Sequence, residues 1–262
     1  MAHIHQPGSA ALHFITCRCE ITHYGIMDEI ESLTFIRSPF EKFLAWRAQN
    51  KFLFLLVTLV LLLIIYPVLE DGFVGDWSLK ILTTILLVMA VYAVSDTRKK
   101  FIAALILSFV PLIAGWLYVL HPDPVLFLVV NASTMVFFTV VTVTILYSVL
   151  VSGSYSLDTV YGGICVYLLI GFTYGTGFFL LNTIYPAAFY PYPAPGSDQI
   201  VTFSEFLYFS FSTLTTLGYG DIVPLTSQAR TMVLFEAVSG VIYVAVLIAW
   251  LVGSVTAQLR KK

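Results

Sequence analysis

The sequence predicts an all-α membrane protein: six transmembrane helices, with a short re-entrant helix and a glycine-bearing loop between the fifth and the sixth. Three observations carry this. Hydrophobic residues make up 59% of the 262 residues and charged residues 11%, whereas a soluble domain carries about a quarter charged residues. The mean hydropathy is +0.91, so lipid must be the solvent for most of the surface. Finally, the apolar residues fall into runs near the length that a bilayer core demands, roughly 20 residues as helix.

Those runs are Phe52–Leu69, Trp77–Val94, Phe101–Leu120, Val125–Val151, Thr159–Asn182 and Met232–Val255. Each is expected to be helical, because lipid cannot satisfy loose backbone groups. A shorter segment, Phe203–Thr215, lies between the last two and is too short to cross. Basic residues set the orientation. Arg37, Lys42, Arg47 and Lys51 precede the first run, Arg98, Lys99 and Lys100 follow the second, and Arg260, Lys261 and Lys262 follow the sixth. Acidic residues dominate the opposite loops, where Arg230 is the only basic residue clearly on that side. The expectation is a multi-pass protein of the cell membrane with both termini cytoplasmic.

Residues 1–51 read as a cytoplasmic tail followed by an interfacial helix. Ser38-Pro39-Phe40-Glu41 is a helix start, with a serine cap, proline in the first position and glutamate closing the box. No cleavable signal peptide is expected, and Met27 is an alternative start to Met1. His3, His5, His13, Cys17, Cys19 and His23 lack a recognised zinc spacing, so a polar tail is preferred to a metal site. The net charge of -2 argues against a nucleic-acid partner. No HExxH or GxSxG motif is present, so an enzyme is not expected, and no internal repeat suggests a transporter.

The strongest signal is Thr215-Thr216-Leu217-Gly218-Tyr219-Gly220-Asp221. A dehydrated cation needs a cage of oxygens in place of its water. Backbone carbonyls can supply one when several chains align them around one axis. Gly218 and Gly220 permit backbone angles that other residues resist, and such angles turn successive carbonyls the same way. The Thr216 hydroxyl adds one further oxygen, and Tyr219 would point backward to brace the cage. Upstream, Thr202-x-x-Glu205 is a capping box opening the short helix. Its C-terminal end carries roughly half a negative charge, which favours a cation beyond it.

The stretch Tyr208–Thr226, YFSFSTLTTLGYGDIVPLT, resembles the pore helix, selectivity filter and outer mouth of tetrameric potassium channels. The likeness extends from Thr159 to about Gln258. It implies a homotetramer in the bilayer with K+ as permeant ion and no cofactor. It implies a pore domain over 159–258: outer helix 159–182, pore helix 203–215, filter 216–220 and inner helix 229–257. In that family, carbonyl rings replace the ion's hydration shell. The resemblance carries this role to Thr216, Leu217, Gly218, Tyr219 and Gly220, with Tyr208, Phe209, Ser212, Thr215 and Asp221 as filter support. Gly240 falls where many members have a hinge. Val241, Val244, Ile248, Val252 and Thr256 share one helical stripe, either cavity lining or ordinary core packing, and Glu236 reads as an interfacial or interhelical hydrogen-bonding group and not a pore charge.

Three departures bear on function. Leu217 stands where the family usually has valine, so a non-selective cation channel is the alternative reading. Phe209 replaces a cuff residue able to donate a hydrogen bond, which predicts a looser cuff. Ser212 replaces a glutamate that pairs with the filter aspartate. Outside the pore, the fourth run contains no Arg or Lys, so 52–151 is expected to be a four-helix bundle that is not a voltage sensor. Its Thr134, Thr139, Thr142, Thr144 and Asn131 would bond either to neighbouring helices or to their own backbone. Little sequence follows the sixth run, so gating by a ligand domain would call for a separate regulatory subunit.

Overall fold

The computed structural model describes residues 50–69, 73–95, 97–151, 156–191 and 202–259. The chain divides into two units, Met1–Asn50 and Lys51–Lys262, and the fold below is that of the second. The expected interfacial helix and the His and Cys tail lie outside the described residues.

Seven helices and two short strands follow in order: α1 Lys51–Leu69, α2 Phe73–Val94, α3 Arg98–Leu120, α4 Pro124–Val151, α5 Leu157–Ile184, β1 Phe189–Pro191, α6 Phe203–Leu214, β2 Ile222–Pro224 and α7 Ser227–Leu259. All but α6 contain a stretch long and apolar enough to cross a membrane. The protein is therefore an all-α, multi-pass membrane protein.

Local chemistry sets several of the ends. Thr97 caps α3 through Lys100 N, and Ser156 caps α5 through Thr159 N. Asp123 serves α4 by accepting from Val125 N at 2.7 Å. Each cap satisfies backbone donors that a helix start leaves unpaired.

Helices α1 to α4 pack on their sequence neighbours, and both α1 and α4 lie against α5. The shared core includes Leu55, Leu59, Leu86, Phe137, Ile145, Leu169 and Phe172. At the end of the bundle where α1 and α5 both begin, Phe52 N donates to Asp158 Oδ1 at 3.0 Å and Cys165 Sγ donates to Phe52 O at 3.4 Å. Of the two options open for the α4 polar residues, the structure shows one. Thr134, Thr139, Thr142 and Thr144 each donate to the carbonyl four residues back, and Asn131 does the same to Phe127 O. They satisfy themselves and stitch no neighbour.

Helix α7 packs against α5 and α6 and leaves large apolar side chains exposed along its length, from Leu234 through Val241 and Ile248 to Val252.

Candidate functional site

The capping box read from sequence opens α6. Glu205 N donates to Thr202 Oγ1 at 3.4 Å, and Thr202 N donates to Glu205 Oε2 at 2.8 Å. The helix is seated by aromatic packing. Phe206 and Phe209 join Phe178 of α5 and Phe189 of β1, with ring centroids 5.1 to 5.7 Å apart. Aromatic pairs in this range contribute about 0.5–1.5 kcal/mol beyond their buried area. Phe209 therefore anchors α6 through its ring, where sequence reasoning marked only a missing donor.

The chain leaves α6 through Thr215, whose N–H donates to Phe211 O at 3.0 Å. Thr216 N then donates to Thr213 O at 2.9 Å, and Leu217 N and Gly218 N both donate to Ser212 O, at 2.8 and 3.2 Å. Ser212 thus holds the loop through its backbone carbonyl. Three residues in this loop adopt positive φ: Thr216 at 61°, Gly218 at 57° and Gly220 at 79°. The glycines were legible as such, but Thr216 was not. A β-branched residue at positive φ is an outlier that costs on the order of 1–2 kcal/mol, and such strain concentrates at functional sites. Left-handed residues at every second position turn successive peptide planes alike.

Beyond Gly220 the chain is braced twice. Asp221 Oδ1 accepts from Ile222 N at 3.0 Å, and Asp221 Oδ2 accepts from Tyr208 Oη at 2.8 Å. The Tyr208 ring stacks on Tyr219, centroids 6.3 Å apart and planes 11° from parallel. Tyr208 is thus the partner for Asp221 that Ser212 does not provide. This bond and a smaller cost of burial push the Tyr208 phenol up to about 12, so it stays protonated and donating. β2 then pairs antiparallel with β1, Tyr190 opposite Val223.

Behind α6, Ser210 Oγ donates to Gly171 O at 2.8 Å and is bonded to the Glu236 carboxyl group of α7. Glu236 is fully buried. It ties α7 to α6 through Ser210, and Ser210 in turn reaches α5. Tyr167 Oη donates to Leu214 O at the far end of α6, at 3.4 Å. Gly240 sits where α7 passes that end: a Cβ there would lie 2.7 Å from Leu214 Cδ1 and 2.9 Å from Leu214 O. Helix α7 runs unbroken through Gly240, from Ser227 to Leu259, so close approach gives this glycine a role apart from any hinge. Val241, Val244, Ile248, Val252 and Thr256 are all exposed on this chain.

Residues 166–257, which contain α6, the loop and most of α5 and α7, match the family model described as ion channel. This part of the chain is an ion-channel pore domain. No solved structure matches the chain. Within the pore domain the Tyr208–Asp221 hydrogen bond ties α6 to the segment leaving the loop. Tyr208→Phe removes it and is expected to cost about 0.5–1.5 kcal/mol. The channel should still conduct, with currents that decay faster under sustained opening. Single-channel open times measured in Tyr208→Phe and Asp221→Asn check this, and both variants should behave alike.

Proposed function

We propose that the chain is the pore-forming subunit of a potassium-selective channel that conducts passively as a homotetramer. The observation that carries this reading is the loop 216–220, with positive φ at Thr216, Gly218 and Gly220. That geometry suits a column of oxygens made of the Thr216 hydroxyl and the carbonyls of Thr216, Leu217, Gly218 and Tyr219. One chain contributes one such strand, and one strand cannot encircle an ion. Four copies around an axis supply stacked rings, and the end of α6 adds a negative dipole end near their inner opening. The exposure of Leu217 at 56% and Tyr219 at 66% on a single chain supports neighbours that cover them. So do the apolar residues left open on α7, of which the stripe from Val241 to Val252 would line the cavity. The bias of basic residues supports an orientation with both termini cytoplasmic and the loop's Asp221 end outside.

The non-selective alternative rests on Leu217 and the altered cuff. Leu217 enters through its carbonyl, which its side chain does not change. The stacked Tyr208–Tyr219 pair and the Tyr208–Asp221 bond stiffen the loop, which favours selectivity. Flux from proteoliposomes tests the choice. Vesicles loaded with a potassium salt and diluted into sodium should lose potassium through a barium-sensitive path. Equal flux with the two salts exchanged would favour the non-selective reading.

Conduction should depend only weakly on voltage. α4 has no Arg or Lys, and each charge moved through the field supplies about 2.3 kcal/mol per 100 mV. Open probability measured across a voltage ramp checks this. A curve as steep as several gating charges require would contradict the assignment of the bundle as a structural collar.

A further inference from the structure

The second apolar run contains Lys80, the one basic residue within its span. An ionisable residue at membrane depth is costly and usually marks a site with a partner. Lys80 lines a cavity of about 340 Å³ enclosed by α1 to α5 and the start of α6. The room for its ammonium comes from α3: Lys80 Nζ lies where the Cβ of any larger residue at Gly115 would be. Among the described residues, no acidic side chain lines the cavity.

Position along the helices grades the lining. Lys80, Tyr118 and Asn131 lie within about two turns of the helix ends at Phe73, Leu120 and Pro124, while Leu86, Phe138 and Phe172 lie about three turns or more from theirs. A charged mouth above an apolar floor suits a ligand with a charged head and a hydrocarbon tail. The volume lies at the low end of ligand cavities, about 300–1,000 Å³, which suits one chain better than two.

We propose that this cavity binds a single-chain amphiphile bearing one negative charge, such as a fatty-acid anion, whose carboxylate pairs with Lys80. The anion neutralises an ammonium that would otherwise be desolvated without a counter-charge, and the tail fills the apolar floor. The occupant touches Phe203, the first residue of α6, whose ring packs at an angle against Tyr66 and edge-on against Phe179, centroids 4.8 and 5.6 Å apart. The site thus abuts the pore domain. Its existence does not depend on which ion the pore passes.

Trp77 lines the cavity and the Trp116 ring packs at an angle against it, centroids 6.1 Å apart, so quenching by a brominated ligand reads occupancy. The full chain in phosphatidylcholine nanodiscs is titrated with terminally brominated dodecanoate. Saturable quenching is expected, weakened at least about tenfold by Lys80→Met, the scale for losing one partner of a buried charge pair. Lys80→Arg should retain binding. Brominated dodecyltrimethylammonium should quench without saturation. The proposal is overturned if Lys80→Met binds dodecanoate as tightly as wild type, or if the cationic probe binds as well as the anion. It is also overturned if phosphatidylglycerol in the nanodisc displaces dodecanoate, which would make the occupant a bilayer phospholipid.

Discussion

Gly218→Ala is expected to abolish potassium selectivity or current. Gly218 has φ of 57°, and a Cβ added there would meet nothing within 4 Å on its own chain. The penalty therefore lies in the backbone. An L-residue in this region costs about 1–2 kcal/mol, or about 4–8 kcal/mol over the four subunits of the proposed tetramer. Thr216 already holds φ of 61° in the same loop, so the conducting arrangement begins with strain and has less margin to lose. Leu217→Val leaves every φ requirement and every carbonyl in place and should keep both current and selectivity. Recordings of the two variants beside wild type decide the matter. If Gly218→Ala conducts and selects like wild type, the filter has been assigned to the wrong residues.

The second large effect is expected at Gly240. Adding a methyl group forces it to within 2.9 Å of the Leu214 carbonyl oxygen, which is backbone and cannot rotate away. Overpacking of this kind costs typically about 1–3 kcal/mol, and fourfold repetition multiplies it. Gly240→Ala should reduce both current and tetramer yield, and Gly240→Leu should eliminate them. Leu214→Ala removes the second close contact, at Cδ1, so the Gly240→Ala, Leu214→Ala double variant should lose less than the sum of the two single losses. Strict additivity would leave Gly240 a hinge only, and tetramer yield in detergent measures the difference.

The six spans were legible because each apolar run is long enough to decide between helix and strand by length alone. The start of α6 was legible because Thr202 and Glu205 form a local signature whose two bonds need no tertiary context. Three features were not. The ribbon of β1 and β2 comprises two three-residue strands, each ending in proline, and such segments read as loop until the partner is known. The Ser210–Glu236–Gly171 contacts join three helices, so no spacing in the chain announces them. Lys80 was hidden by averaging: one lysine in a run of leucine, isoleucine and valine barely changes a hydropathy window. The role of Tyr208 shows a subtler limit. The resemblance marked both Tyr208 and Asp221 as support, but only the geometry pairs them with each other.

The central claim is that the 216–220 loop, repeated around a tetramer, selects potassium. The most direct measurement is the reversal potential of the purified protein in a planar bilayer as sodium replaces potassium on one side. The account predicts a shift close to the full potassium equilibrium potential, retained in Leu217→Val. A reversal potential that stays near zero in wild type, with current still carried, would contradict it and leave a non-selective cation pore.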